Sequence, residues 1–529
     1  MIVSGIGFGS PFDPPTTTTC EAYLNMEVLV EDVLDTIIQC CPIYTISIIS
    51  RVSYSLRRLA LPHLLHSVCL DRSPMQVVGF LNFILDNGPE SFMDPGKHVF
   101  ELEFVESPAF KRRVLHDGVY LLTTNEIYRL SSWAPMLTQA LMLMPNLRSF
   151  TVKGNTDDIV THSPSFGHIL GSLSSLTSLT LWGVGSQTSL SFCDLTGNVE
   201  TTGSSLRELK IAGSYEYSEE LTTVSEDDGI GKLLAKHSHT LKELCLVALN
   251  LMGFLANHNI NHDRSSGCSG VAFPLVTKLT IGNCSTTVES LACAFPMLQT
   301  LCLDYAEFIH VYSSGVPRDP VAFPNLASIQ GWYKDVYEVL RCNRYPESMR
   351  RVVISYPWSS RDEVDTFPFA VPSMALQLQS FHFMINEEKP ISWWKGLSEH
   401  LSSLTYLSIV IHSSSYDDWR LICYEIPAAI SSIPIRYLSI VIEEYEATMT
   451  DPAYAEESLA LSFSKEIPAL QYMDVLRHNL SAMGGPNVSQ TTWWTIVRGD
   501  NSNVSVEQLD WEEGNRLRDY YDWTFKLGQ

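Results

Sequence analysis

Along most of the chain, aliphatic and aromatic residues recur in one arrangement: an apolar position, two of any kind, a second apolar position, one of any kind, and a third. The instances are Val99/Leu102/Phe104, Leu147/Phe150/Val152, Leu176/Leu179/Leu181, Leu206/Leu209/Ile211, Leu241/Leu244/Leu246, Val276/Leu279/Ile281 and Leu298/Leu301/Leu303. They continue as Leu326/Ile329/Gly331, Met349/Val352/Ile354, Leu378/Phe381/Phe383, Leu404/Leu407/Ile409, Ile435/Leu438/Ile440 and Leu470/Met473/Val475. Alternation over the last three positions is the period of a strand with one buried face. In so apolar a chain the bare triplet arises often by chance, so the residues before it carry more weight. Met144-Pro145, Phe273-Pro274, Phe295-Pro296, Phe323-Pro324 and Ile467-Pro468 each begin three residues ahead of the first aliphatic, and Ser-Ser directly precedes Leu176, Leu206 and Leu404. From the second triplet on, middle positions are between 22 (Leu279 to Leu301) and 35 residues (Leu209 to Leu244) apart. The intervening TVESLACAF, KDVYEVLRC, WWKGLSEHLSSL and DDWRLICYEIPAAISS have the apolar spacing of short amphipathic helices. A strand–helix unit repeated over residues 97–475 is therefore predicted. Its three inward side chains contribute about 6 kcal/mol gross at ~2 kcal/mol each, and only when units stack.

Upstream, the pattern is purely helical. In LNMEVLVEDVLDTIIQCCP, Leu29, Val33 and Ile37 recur every fourth residue and Leu34 and Ile38 widen the stripe. Asn25 is a suitable N-cap, Glu27, Glu31 and Asp32 load the early turns with negative charge, and Pro42 ends the helix. The apolar run IYTISIIS leads into RVSYSLRRLALPHLLHSV, where Val52, Leu56 and Leu59 are expected on one face and Pro62 to start a new segment. A helix is predicted next, from Ser73-Pro74 to Asn87-Gly88, with Val77, Phe80, Leu81, Ile84 and Leu85 on its buried side. Residues 1–20, with Pro14-Pro15 and four threonines, read as disordered.

The repeats resemble leucine-rich repeats of the longer, irregular type. The N-terminal helices resemble the F-box: Leu24, Glu27, Val28 and Leu29 match its start, Val33, Leu34 and Ile37 its helix, and Val52, Ser53, Leu56, Leu59 and Ala60 its end. Asn25 stands where that pattern has Pro, and Tyr54 where it has a basic residue. The resemblance covers about 40 of the 529 residues. It implies docking on a Skp-type adaptor and through it a cullin, with Leu24, Met26, Val28, Leu29 and Val33 carrying the contact. The same aliphatics read equally well as core. It also implies a substrate-recognition subunit of an SCF-type ubiquitin ligase, whose concave strand face holds a target protein. The alternative is an interaction scaffold without a ubiquitin role.

The expected architecture is α/β: a small all-α F-box-like module over 21–70, a connecting helix over 71–96, a leucine-rich-repeat solenoid over 97–475, and a cap over 476–529. The last segment is rich in aromatics, Trp493, Trp494, Trp511, Tyr520, Tyr521 and Trp523, which suit the covering of a solenoid's end. Its Trp-Trp-x-Ile and Glu-Gly elements also resemble the tails of fungal F-box-like repeat proteins. Two stretches break the repeat, an acidic one over 212–230 and a polar, Gly-rich one over 254–272, and read as loops.

Charge narrows the partners. Against 35 Lys+Arg stand 59 Asp+Glu, a net of −24, so neither nucleic acid nor an anionic membrane is an expected partner. The 12 cysteines are scattered, without a CxxC, and the first residues lack a basic and apolar leader, which together point to the cytoplasm or nucleus. GIGFG at 5–9 follows no strand and is not a phosphate loop. His258, His262 and Asp263 have a metal-like spacing but no third ligand in sight, and Cys245 and Cys302, inside Leu-Cys-Leu strands, read as buried. No constellation suggests catalysis, a metal or a cofactor.

Overall fold

The computed structural model describes residues 31–70, 74–88, 94–105, 124–193, 206–213, 221–255, 270–304, 307–308, 323–343, 348–355, 377–385, 391–413, 425–444, 452–479, 488–499 and 503–522. The chain forms two compact units, residues 1–254 and 255–529.

The first described elements of the first unit are three short helices, α1 (Glu31–Gln39), α2 (Ile43–Ile49) and α3 (Tyr54–Leu65). Ile38, Ile46 and Ala60, one from each helix, make a small core, with Cys41, Ile43, Ile49, Leu59 and Leu64 packed around it. Ser53 caps α3 by accepting from the Leu56 N–H at 3.2 Å. Arg58 pairs with Glu31, and His63 Nε2 lies 2.8 Å from Asp35 Oδ1, tying α3 to α1. Two expectations change here. Pro62 does not start a segment; it lies inside α3, because Leu61 and Leu65 on either side of it are buried and their packing outweighs the lost hydrogen bond. Val52 precedes the cap and is exposed, so it shares no helix face with Leu56 and Leu59.

Parallel strands follow: β1 (Ser67–Leu70), β2 (Glu101–Val105), β3 (Ser149–Lys153), β4 (Ser178–Val184), β5 (Glu208–Gly213) and, after the two-residue β6 (Thr222–Thr223), β7 (Glu243–Val247). β8 (Leu249–Asn250) pairs with β6 beside this sheet. The connecting helix α4 spans Pro74–Asp86, as its sequence predicts. The parallel ladder starts earlier than residue 97: β1 pairs with β2, placing Val68 opposite Leu102 and Leu70 opposite Phe104. Leu65, Val68 and Leu70 are buried and form one more triplet of the same kind.

The second unit continues the plan with β9 (Lys278–Gly282), β10 (Ser285–Thr286), β11 (Thr300–Asp304), β12 (Glu307–Phe308), β13 (Ser328–Gly331), β14 (Arg351–Ile354), β15 (Ser380–Ile385), β16 (Tyr406–Ser413), β17 (Tyr437–Glu444) and β18 (Tyr472–Asn479). All but β10 and β12, which pair with each other, form one parallel sheet. The middle and last residues of the triplets are aligned, so that Phe381, Leu407, Leu438 and Met473 lie opposite one another in turn. Helices such as Val288–Ala294, Tyr333–Cys342, Ile391–His400 and Pro452–Glu466 connect the strands. Each unit is thus a leucine-rich-repeat solenoid in its local plan, α/β throughout. The last strands depart from it: β19 (Val488–Arg498) is antiparallel to β18, and β20 (Val504–Leu509) is antiparallel to β19.

The apolar-Pro-x signal has a structural cause. The N–H of Leu147, Val276, Leu298, Leu326 and Leu470 donates to the carbonyl three residues earlier, on Met144, Phe273, Phe295, Phe323 and Ile467, at 3.2–3.3 Å. These are β-turns with proline second, where its fixed φ is wanted, while the first and fourth residues are buried. Leu173–Leu176 and Leu401–Leu404 close the same turn with Ser-Ser in the middle. At Met144, Phe295 and Ile467 the turn follows closely on a helix, and in every case it delivers the chain into its strand at a constant register.

Candidate interaction surfaces

The buried triplets turn one strand face toward the core, and side-chain alternation turns the intervening residues to the other. Residues alternating with the buried triplets line that second face. In the first unit one column reads Glu101, Ser149, Ser178, Glu208 and Glu243, and the next Glu103, Thr151, Thr180, Lys210 and Cys245. Cys245, and Cys302 in the second unit, are therefore on this face and only half-buried, not in the core: the side-chain alternation that buries the leucines on either side turns the cysteines the other way. Lys153 Nζ pairs with Glu103 at 2.6 Å and Ser178 Oγ donates to Glu208 at 3.2 Å, so part of the charge is internally matched.

In the second unit the corresponding columns are Lys278, Thr300, Ser328, Arg351, Ser380, Tyr406, Tyr437, Tyr472, and Thr280, Cys302, Gln330, Val353, His382, Ser408, Ser439, Asp474. From Arg351 onward this face is occupied. The helix Trp511–Tyr521, capped by Asp510, which accepts from the Glu513 N–H at 2.9 Å, lies against it. Arg351 donates to both carboxylate oxygens of Asp522, at 3.1 and 2.9 Å, and Ser380 Oγ donates to the same carboxylate at 2.9 Å. Arg518 forms the second fork, 3.2 and 2.7 Å from the oxygens of Asp474, which also accepts from Ser439 at 2.9 Å. Tyr521 packs against both Tyr437 and Tyr472 with tilted rings, centroids 5.7 and 5.9 Å away, and Arg518 sits over the Trp493 ring at 5.7 Å. Gly514 allows the close approach: a Cβ there would lie 2.2 Å from Trp493 Cγ.

The floor under this helix is polar and buried. Burial pushes the Asp474 carboxyl up, against the pull of Arg518 and Ser439, and raises the Tyr406 and Tyr437 hydroxyls. His382, hydrogen-bonded through Nδ1 to Ser408 at 2.7 Å, is lowered to about 4, first by burial, with Arg351 adding to and Asp522 opposing the effect. The sequence reading missed this arrangement. Its traces were Arg351 and Asp474, charged residues at strand positions whose neighbours are serines and tyrosines.

The second surface is on the N-terminal helices. Val33 and Ile37, four residues apart on α1, are 46% and 37% exposed, while Leu34 and Ile38 on the other side are buried. On α2, Tyr44 and Ile48 repeat the pattern at 74% and 46%, and Val52 and Tyr54 are exposed before and at the start of α3. Of the expected contact residues, Val33 is on this apolar side; Leu24, Met26, Val28 and Leu29 lie outside the described residues, as do His258, His262, Asp263 and Trp523. Among the described residues no group of His, Cys, Asp and Glu could hold a metal ion, and no helix is long and apolar enough to cross a membrane.

No protein-family model matches the chain, and no curated protein does. Solved structures do. An internalin from Listeria monocytogenes is 12% identical with a TM-score of 0.29, over 80% of this chain and 92% of that one. The Rad7 and Elc1 complex in yeast matches with 12% identity and a TM-score of 0.32, over 83% of this chain and 97% of that chain.

Proposed function

We propose that this protein is a non-catalytic recognition subunit of an SCF-type ubiquitin ligase, acting in the cytoplasm or nucleus. Its N-terminal helices hold a Skp-type adaptor, and its repeats hold a target protein. The observation that carries the reading is the set of exposed apolar side chains, Val33 and Ile37 on α1, Tyr44 and Ile48 on α2 and Val52 after it, on a helical module whose own small core is made by Ile38, Ile46 and Ala60. Water contact with so many large apolar side chains is unfavourable, and a partner helix would relieve it. The F-box resemblance of these segments names the partner. The rate advantage would come from proximity, a target lysine held near the ligase, and it requires no reactive group in this chain.

Co-purification of the full chain with a Skp-type adaptor tests this. Burying Val33 and Ile37 contributes roughly 1–2 kcal/mol each, so V33D/I37D should weaken adaptor binding at least about 30-fold, with the helical circular-dichroism signal kept. Wild-type binding by the variant, or none by the wild type, would overturn the proposal. The second outcome would favour a scaffold without a ubiquitin role, as Asn25 and the exposed Tyr54 at the departures from the F-box pattern do.

A further inference from the structure

The helix Trp511–Tyr521 is attached differently from the rest of the second unit. The strands beneath it are held by apolar triplets and parallel ladders. The helix is held by two forked ion pairs, a cluster of tilted tyrosine rings and the close seat of Gly514 on Trp493. Much of the helix remains in water, with Trp511, Glu512, Arg516, Asp519 and Tyr520 all exposed. The residues it covers, Ser380, Ser408, Ser439, Tyr406, Tyr437 and Asp474, are nevertheless among the most deeply buried polar groups of the unit. A permanent end cap would best be seated on an apolar floor, because burying hydroxyls and a carboxylate adds little net stability. A floor of serines, tyrosines and an aspartate suits a face that is covered at some times and wet at others.

The face also has a direction. Arg351 and Ser380 form a seat for a carboxylate; Asp474 and Ser439 form a seat for a guanidinium; the tyrosine column between them accepts a ring. Arg518, Tyr521 and Asp522 fill the three seats because positions i, i+3 and i+4 fall on one side of a helix.

We propose that this face is the protein's helix-binding surface, that the C-terminal helix is its resident occupant, and that a target helix presenting Arg-x-x-Tyr-Asp chemistry displaces it. The proposal rests on the reading of the chain as a recognition subunit and specifies the chemistry of its target. A short helix that is marginal on its own, seated with little apolar burial, makes the occupant exchangeable, while an intact sheet keeps the seats in place.

The probe is a fluorescent synthetic peptide of residues 509–525, titrated against the full chain. R518E/D522K reverses both ends of the resident helix and should release it. The released variant should bind the peptide at least tenfold more tightly than the wild type, and a peptide carrying the D522K change should not bind. Absence of peptide binding to a folded R518E/D522K chain would overturn the proposal. Should that variant fail to fold, hydrogen exchange on the wild type decides. Amides of 511–521 exchanging through a smaller opening than those of β16–β18 support an exchangeable occupant; a single shared opening refutes it. Neither measurement involves the adaptor, so this idea and the adaptor reading fail separately.

Discussion

Gly331 offers the sharpest test of how the strands are built. It holds the third place of its triplet, between Leu303 on one neighbouring strand and Ile354 on the other. A repeat consensus would put leucine there and anticipate about 2 kcal/mol of extra burial. The backbone argues the opposite. Gly331 has φ +155°, a conformation that side chains rarely adopt, and a Cβ built on it would lie 2.3 Å from the Leu303 carbonyl oxygen and 2.7 Å from Leu303 Cβ. Both obstacles belong to the adjacent strand, so relief would require the ladder to part. Strain of about 1–3 kcal/mol at such a φ, with a similar overpacking cost, makes G331A destabilising by about 2–5 kcal/mol. G331L should be no better, since its further atoms start from the same clash. Urea unfolding followed by tryptophan fluorescence measures this, because Trp332, Trp393, Trp394, Trp493 and Trp494 all report on the second unit. Fitting one transition per unit avoids treating the whole chain as two-state. A midpoint for G331A equal to or above that of the wild type would refute the reasoning.

Other perturbations probe the turn, the buried ion pair and the buried histidine. F295A removes a fully buried ring stacked on Phe273 at 5.2 Å and should cost about 3–5 kcal/mol in the second unit, whereas P296A at the turn's second position should cost under about 1 kcal/mol; equal effects in urea titrations would contradict the turn assignment. Arg477 pairs with Glu456 at 3.2 Å, both buried, and Thr492 donates to that glutamate at 2.6 Å. R477M alone should therefore destabilise by about 3–5 kcal/mol and R477M/E456M by markedly less, which a double-mutant cycle checks. His237, lowered to about 4 by burial and then by Lys236, stays neutral in the folded first unit while the unfolded chain takes up its proton near pH 6.5. Stability from this group is complete above pH 6.5 and declines as pH falls toward 4, by up to about 3 kcal/mol. H237N should flatten that part of the urea-midpoint profile, and an unchanged slope would exclude the histidine as its source.

How much of this was legible depended on whether a feature is local. Triplets such as Leu407/Ile409 and Leu438/Ile440 stand out because alternation fixes a strand face within a few residues, and a one-residue slip would expose every aliphatic. Phe-Pro-x-Leu stands out for the same reason, its hydrogen bond closing over three residues. The rung Leu65/Val68/Leu70 satisfies the same rule but was hidden by Pro62, read as a boundary where burial of Leu61 and Leu65 kept the helix intact. Cys245 and Cys302 show the converse error: an apolar context in sequence, Leu-Cys-Leu, is in a strand the signature of a residue on the opposite face.

The occupied strand face was beyond such local rules. The ion pair between Arg351 and Asp522 spans 171 residues, and neither partner has a neighbour in sequence that calls for it. What the sequence did contain was two anomalies on otherwise uncharged stretches of the same face, Arg351 before β15 and Asp474 after β17 in the ladder, of opposite sign. A charge at a strand position destined for burial requires a counter-charge from elsewhere in the chain or from another molecule. Here the helix after β20 supplies both, with the signs arranged so that its Arg518 meets the acid and its Asp522 the base. The same complementarity gives a partner helix a defined orientation: turned end for end, it would place arginine on Arg351 and aspartate on Asp474, and the repulsion would reject it.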